Sequence, residues 1–310
     1  MTVHHATREA LVGEQRAAGG WGEPAGRVAP VDVSQLPDTA VLSCRLWREW
    51  PALVAAVALL VAILIALFVL DFHPAQLGLA GFTAAWLVDT ALKLLALPRQ
   101  VANAVEITPT QFEDLYPVVE ELRERFNLPT VRVFVSSEDD LMTGAYGLWP
   151  PYSVRFQTFL INGLTPEEFR FALGREMGAI RLGHPHLALV FGGQSPAFAN
   201  ALQWILLPRQ FIFSWWYRNQ ELSRDRVGLL ACRSVRVGLT ALVKMQARPM
   251  GARVSMDAVE PQVLEVARGR RRWGEAIATI GVRRPLLIRR IRCLVEWAGP
   301  PEPPPPVSAD

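Results

Sequence analysis

Residues 164–184 read LTPEEFRFALGREMGAIRLGH and hold the strongest helix start in the chain. Thr165 supplies an N-cap hydroxyl. Pro166 suits the first helical position, where a missing N–H costs nothing, and Glu168 closes a capping box three residues after the cap. The helix is expected to run to about Leu182, with Gly183 as its stop. A long capped helix that is polar on one side and apolar on the other needs partners to cover it, so the neighbouring segments decide the architecture.

Upstream, Phe112, Leu115, Val118, Val119 and Leu122 recur at helical spacing within 110–126. Residues 130–135 alternate as a strand, and 152–162, YSVRFQTFLIN, read as a second one. Downstream, the apolar residues 197–217 are interrupted by Pro208 and Arg209 and end in Trp215, Trp216 and Tyr217. Two readings stand for them, a re-entrant or interfacial helix pair and a buried core helix. A polar helix follows from Arg218 to about Val235; 285–297 is basic and amphipathic, and the Pro-rich tail 298–310 is expected to be extended. Helices mixed with two strands make an α+β domain over 107–297.

Ahead of this domain, residues 51–70, PALVAAVALLVAILIALFVL, are twenty apolar residues without a charge, the length a helix needs to cross the hydrocarbon layer. A second apolar stretch, 76–97, carries Asp89 and Lys93 one turn apart, where they pair internally. It reads as a second span, with a helix lying along the interface as the alternative. Together they give a hairpin over 41–98. Arg45 and Arg48 precede the first span, Lys93 and Arg99 lie near the end of the second, and the connection DFHPA has no basic residue. Both termini and the globular domain are therefore expected on the cytoplasmic side of an inner (plasma) membrane. A hydrophobic share of 51% agrees with a bilayer partner. The net charge is only +3, almost all basic residues are arginine, and no nucleic-acid motif is found, so nucleic acid is set aside. Cys44, Cys232 and Cys293 show no paired spacing, which fits a reducing compartment. Residues 1–40 are polar and rich in Gly, Pro and Ala; they are expected to form a disordered arm without a signal peptide.

The hairpin, the helix and strand pair, GREMGAIRLGH (174–184), RNQELSRDRVG (218–228) and RRPLLIRRIRCL (283–294) together resemble the HtpX-like family of membrane zinc metallopeptidases, to which the CAAX prenyl proteases also belong. The resemblance covers roughly residues 50–297. It aligns Ile180 and Gly183-His184 with the IxxGH that follows the family's HExxH. Glu221, Asp225 and Gly228 fall on ExxxDxxG, and Pro285, Arg290, Ile291 and Leu294 fall on the terminal pattern, with Arg284 in place of a histidine. The implied architecture is a mainly helical, gluzincin-like domain with a small sheet behind a two-helix transmembrane hairpin. The implied cofactor is zinc, held by the two motif histidines and a glutamate at position 221.

Here the sequence departs from the family. HExxH places two imidazoles at i and i+4 on one helix face to bind the metal, while its glutamate deprotonates the metal-bound water. The corresponding residues are Arg175, Glu176 and Ala179, so the motif is degenerate. Arginine has no lone pair to give and alanine has no ligand atom, which leaves Glu176, Glu221 and Asp225 as a vestigial site with no zinc expected. A new metal site from His184, His186 and Glu221 is the alternative. Arg175 itself is expected to bridge to Glu221, replacing the metal's positive charge, or else to point to solvent. Three functions follow: a pseudopeptidase that binds an unidentified protein along a cleft edged by the strand near 156–160; an active zinc endopeptidase with an unconventional site; or a structural anchor recruiting an assembly through its termini.

Overall fold

The computed structural model describes residues 31–69, 73–137, 143–191, 206–254 and 284–299. The first two long helices are α1 (Glu49–Val69) and α2 (His73–Ala96). They contain windows of mean hydropathy 2.3 and 1.4, long and apolar enough to cross a membrane. At about 1.5 Å rise per residue, α1 is roughly 30 Å long, close to the hydrocarbon thickness. Val54, Leu59, Val61, Ile65, Leu77 and Leu87 stay exposed on the pair, an apolar surface that water would not tolerate. Asp89 and Lys93 of α2 meet at 2.6 Å.

A short helix α3 (Arg99–Ala102) leads into β1 (Val105–Glu106), α4 (Tyr116–Arg125), β2 (Val131–Ser136), β3 (Gly144–Tyr146) and β4 (Tyr152–Gln157). The strand order is β1-β2-β4-β3, with β2 and β4 parallel and the outer pairs antiparallel. Two expectations change here. The strand over 152–162 ends at Gln157, because Thr158–Gly163 coil into α5, and β3 flanks β4 over Ser153–Arg155, so the strand edge expected near 156–160 is cut short by the helix. The helix expected over 110–126 begins only at Tyr116, since Phe112 takes a left-handed φ of 63° and Pro117 sits in the first turn.

The opening stretch forms α6 (Pro166–Arg181) with both capping-box bonds: Glu168 N–H donates to Thr165 Oγ1 at 3.3 Å, and Thr165 N–H donates to Glu168 Oε2 at 2.8 Å. Gly183 follows at φ +75°, the left-handed stop that glycine adopts without strain. Next come α7 (His184–Phe191), α8 (Leu207–Cys232), α9 (Val235–Ala247) and α10 (Leu287–Ala298). α8 is one continuous helix. Pro208 lies in its first turn, and no boundary falls at Arg218, so the polar helix expected from Arg218 is continuous with 207–217. Residues 197–205 and the arginines of 268–272 lie outside the described residues.

The N-terminal half of α8 packs Phe213, Trp216 and Tyr217 against Ala52, Leu53, Ala56 and Leu60 of α1, which joins the hairpin to the domain through buried apolar surface. Its other half crosses α6 closely. A Cβ on Gly178 would stand 2.4 Å from Val227, and one on Gly228 would stand 2.6 Å from Arg175 Cγ. Glycine is needed at both places for the helices to approach this far. The end of the expected 1–40 arm is ordered: Val33 is buried, Arg233 Nη2 donates to Asp38 at 2.7 Å and Arg125 pairs with Asp38 at 2.8 Å. Residues 1–30 and 300–310 lie outside the described residues.

Candidate functional site

α6 presents Arg175 and Glu176 where it crosses α8, one turn after its apolar residues Phe171, Ala172 and Leu173 bury against the core. α8 brings Glu221, Arg224 and Asp225 to the same place, spaced three and four residues apart on one helix face. α10, basic and amphipathic as expected, adds Arg290, which is only 8% exposed, and its Arg292 is 9% exposed. Asp225, expected as a member of the vestigial site, is fully buried.

These residues form a lattice of ion pairs. Arg175 Nε donates to Asp225 Oδ1 at 2.6 Å, and Arg175 Nη2 donates to Glu221 Oε2 at 2.9 Å. Arg290 grips the same aspartate with two bonds, Nε to Oδ2 at 2.8 Å and Nη2 to Oδ1 at 2.7 Å. Arg224 donates to Glu221 Oε1 at 2.8 Å and, through its other terminal nitrogen, to Glu176. Every carboxylate in the group therefore meets at least one guanidinium, and Arg290 meets Asp225 in the bidentate geometry that makes charge-assisted bonds strong.

The electrostatics follow from this packing. Burial works to lower the pKa of Arg175, but Asp225, Glu221 and Glu176 outweigh it and hold the guanidinium above its ordinary value. Burial works to raise that of Glu221, yet Arg224, Arg175, Arg290 and Arg284 press it well below the usual carboxylate range. Buried charges at low dielectric are tolerated only when paired and hydrogen-bonded in this way.

The donor set does not fit zinc. Position 175 holds a guanidinium with no lone pair, position 179 a buried methyl group, and both oxygens of Glu221 already accept from arginine. The alternative trio is not brought together. His184 is buried with Nε2 2.9 Å from Glu49 Oε1, while His186 turns to the Leu148 carbonyl and the Tyr152 hydroxyl, so neither faces Glu221. Among the described residues no three His, Cys, Asp or Glu side chains gather to hold a metal ion.

The sequence reading missed three participants. Arg224 is i+3 from Glu221, a spacing that could have been noticed; Arg290 was matched to a pattern but given no role. Glu49, the first residue of α1, was missed altogether. It accepts from Ser223 Oγ at 2.5 Å and from His184, tying α1 to the helices that carry the ion pairs. Burial holds His184 below the ordinary imidazole pKa despite this bond.

With this geometry in view, the fold is a mostly helical domain with a small mixed sheet and two helices apolar enough for a bilayer. No protein-family model matches the chain. It is 30% identical over 105 residues to a Protease HtpX homolog of Desulforapulum autotrophicum, a match covering 34% of this chain and 32% of that protein. The match thus spans about a third of the relative's length, and it makes that part of the chain similar to a protein described as an HtpX protease homolog.

Proposed function

We propose that this protein is a gluzincin-like pseudopeptidase, anchored by α1 and α2 as a two-pass hairpin in the inner (plasma) membrane with both termini and the domain cytoplasmic. Its zinc has been replaced by arginine, and it acts by binding a protein at the membrane surface rather than by cutting one. The observation that carries this reading is Arg175: at the first histidine position of the motif, its guanidinium bonds to both Asp225 and Glu221. A cation fixed by the fold takes over the metal's charge but not its chemistry, because it activates no water for Glu176 to deprotonate. With β4 inside the sheet, partner docking by strand addition would use the outer strand β3.

An active zinc endopeptidase is the second reading, favoured by the name of the relative alone. Endoproteolysis of an unstructured protein by the detergent-purified chain distinguishes the two. The expected result is no cleavage above background. Cleavage that a chelator and Glu176→Gln both abolish overturns the proposal.

A further inference from the structure

Trp149 is 71% exposed on the turn 147–151, GLWPP, between β3 and β4. The turn is firmly held. Gly147 takes a φ of 122°, which a side chain would resist, and Pro150 and Pro151 restrict their own φ. The Leu148 carbonyl accepts from His186 Nε2 of α7 and, at 3.5 Å, from the Tyr152 hydroxyl, whose ring stands edge-on to His186 at 5.9 Å. The chain thus fixes this turn against α7 and leaves its indole outside. Trp47 and Trp50, beside the start of α1, are exposed in the same way.

α7 sets the level of the turn. At its start His184 Nε2 meets Glu49, where the apolar window of α1 opens, at 2.9 Å. Near its end the Val190 carbonyl accepts from Trp86 Nε1 of α2 at 2.6 Å. At about 1.5 Å per residue α7 is about 12 Å long, and Trp86 lies about 15 Å along α2 from Ala96. α7 therefore runs beside the hairpin, from the level where α1 begins toward the middle of α2. His186 is in its first turn, so Leu148 and Trp149 stay at the level of Glu49, with Trp47 and Trp50. Two exposed arginines share this level: Arg48, 5.0 Å over the Trp47 ring, and Arg181, next to Leu182, whose carbonyl accepts from Arg45.

We propose that the turn 147–151 is a membrane anchor, with Trp149 seated among the lipid headgroups of the leaflet where the hairpin joins the domain, in one belt with Trp47 and Trp50. This rests on the reading of α1 and α2 as a bilayer hairpin. Indole suits that layer, because its ring is apolar while its N–H finds an acceptor there, and Arg48 and Arg181 complement the phosphates of anionic lipid. The turn gives the domain a point of attachment remote in sequence from the hairpin.

The test places one nitroxide on the full chain, its native cysteines changed to alanine, in vesicles of phosphatidylcholine and phosphatidylglycerol. Collision with oxygen, which enters lipid, is compared with collision with a water-soluble nickel chelate. Trp149→Cys carries the label at the turn and Leu59→Cys at mid-α1. Glu124→Cys is the solvent reference, since neighbouring Arg125 bonds the Ala231 carbonyl at the far end of α8. The expected result is nickel collision about threefold or more lower at 149 than at 124, with oxygen collision retained. Nickel reaching 149 as freely as 124 while 59 stays protected overturns the anchor and leaves the hairpin standing; nickel reaching 59 as well overturns the hairpin reading and the anchor with it. Protection of 149 from both reagents means protein covers it, which also overturns the proposal. A label-free measurement guards against a misfolded variant: brominated lipids are expected to quench the tryptophan emission of the natural chain more than that of Trp149→Phe, and equal quenching contradicts the anchor.

Discussion

Asp225 and Asp89 are each fully buried, and each lies between two cations, but the two clusters are built differently. Asp225 takes Arg175 from α6 and both forks of Arg290 from α10, so three helices converge on one carboxylate. Asp89 takes Lys93 from its own helix at 2.6 Å and Arg209 from the first turn of α8 at 2.7 Å, with Arg209 also 5.6 Å above the ring of Trp86. The first cluster sits where α6, α8 and α10 meet, at the site proposed above to have lost its metal; the second sits in an apolar helical hairpin. One ties α6 and α10 to α8, and the other fastens α8 to the hairpin. Buried charge thus serves two ends in the same chain, and the difference lies in how many elements each carboxylate joins.

Removing the shared carboxylate is the sharpest way to break the comparison. Asp225→Ala leaves Arg175 and Arg290 buried without their common partner and is expected to cost about 3–5 kcal/mol, read as a large fall in Tm or loss of folded protein. Arg175→Ala is milder, since Arg290 still covers Asp225 and Arg224 still covers Glu221; a loss of about 2–3 kcal/mol is expected. An unchanged Tm would remove Arg175 from any structural role. Gly228→Ala tests the close crossing that positions the lattice: its Cβ would meet Arg175 Cγ at 2.6 Å and the Phe171 ring at 2.8 Å, with an expected cost of about 1–3 kcal/mol. At the other cluster, Lys93→Leu leaves Arg209 on Asp89 and is expected to cost only about 1 kcal/mol. A larger loss there than at Arg175 would reverse the ranking of the two clusters.

A pH series separates a third group from both clusters. His184 faces Glu49 from α1, Arg45 just before it and Arg224 of α8, and its folded pKa lies below the ordinary 6.5. As pH falls below that value the unfolded chain takes up a proton that the folded chain refuses, so stability is expected to be full above pH 6.5 and to decline below it. His184→Gln should flatten the decline between 6.5 and the carboxylate range. A series that is equally steep in the variant would assign the whole effect to carboxylates such as Glu221, whose contribution is lost only as pH falls below its ordinary 4.5.

Much of this fold was legible locally. The capping box of α6 was readable because all its parts lie within four residues, and the two apolar helices because length and composition alone define them. The Asp89–Lys93 pair could be read from spacing, whereas Arg209 could not, since it arrives on another helix more than a hundred residues later. The same limit hid Glu49 and Arg290, whose partners come from distant elements. The continuity of 207–217 with the helix expected from Arg218 was hidden because the change from aromatic to polar residues at Tyr217 and Arg218 marks a change of surroundings, not a break in the backbone. The burial of β4 depends on its parallel pairing with β2, which no alternation pattern encodes.

The central claim is that arginine has displaced zinc from a retained fold, and metal content tests it most directly. Elemental analysis of detergent-purified protein after exposure to stoichiometric zinc is compared with an Arg175→His, Ala179→His double variant. The account predicts about one zinc in the variant and none in the natural chain. Stoichiometric zinc in the natural chain would contradict it.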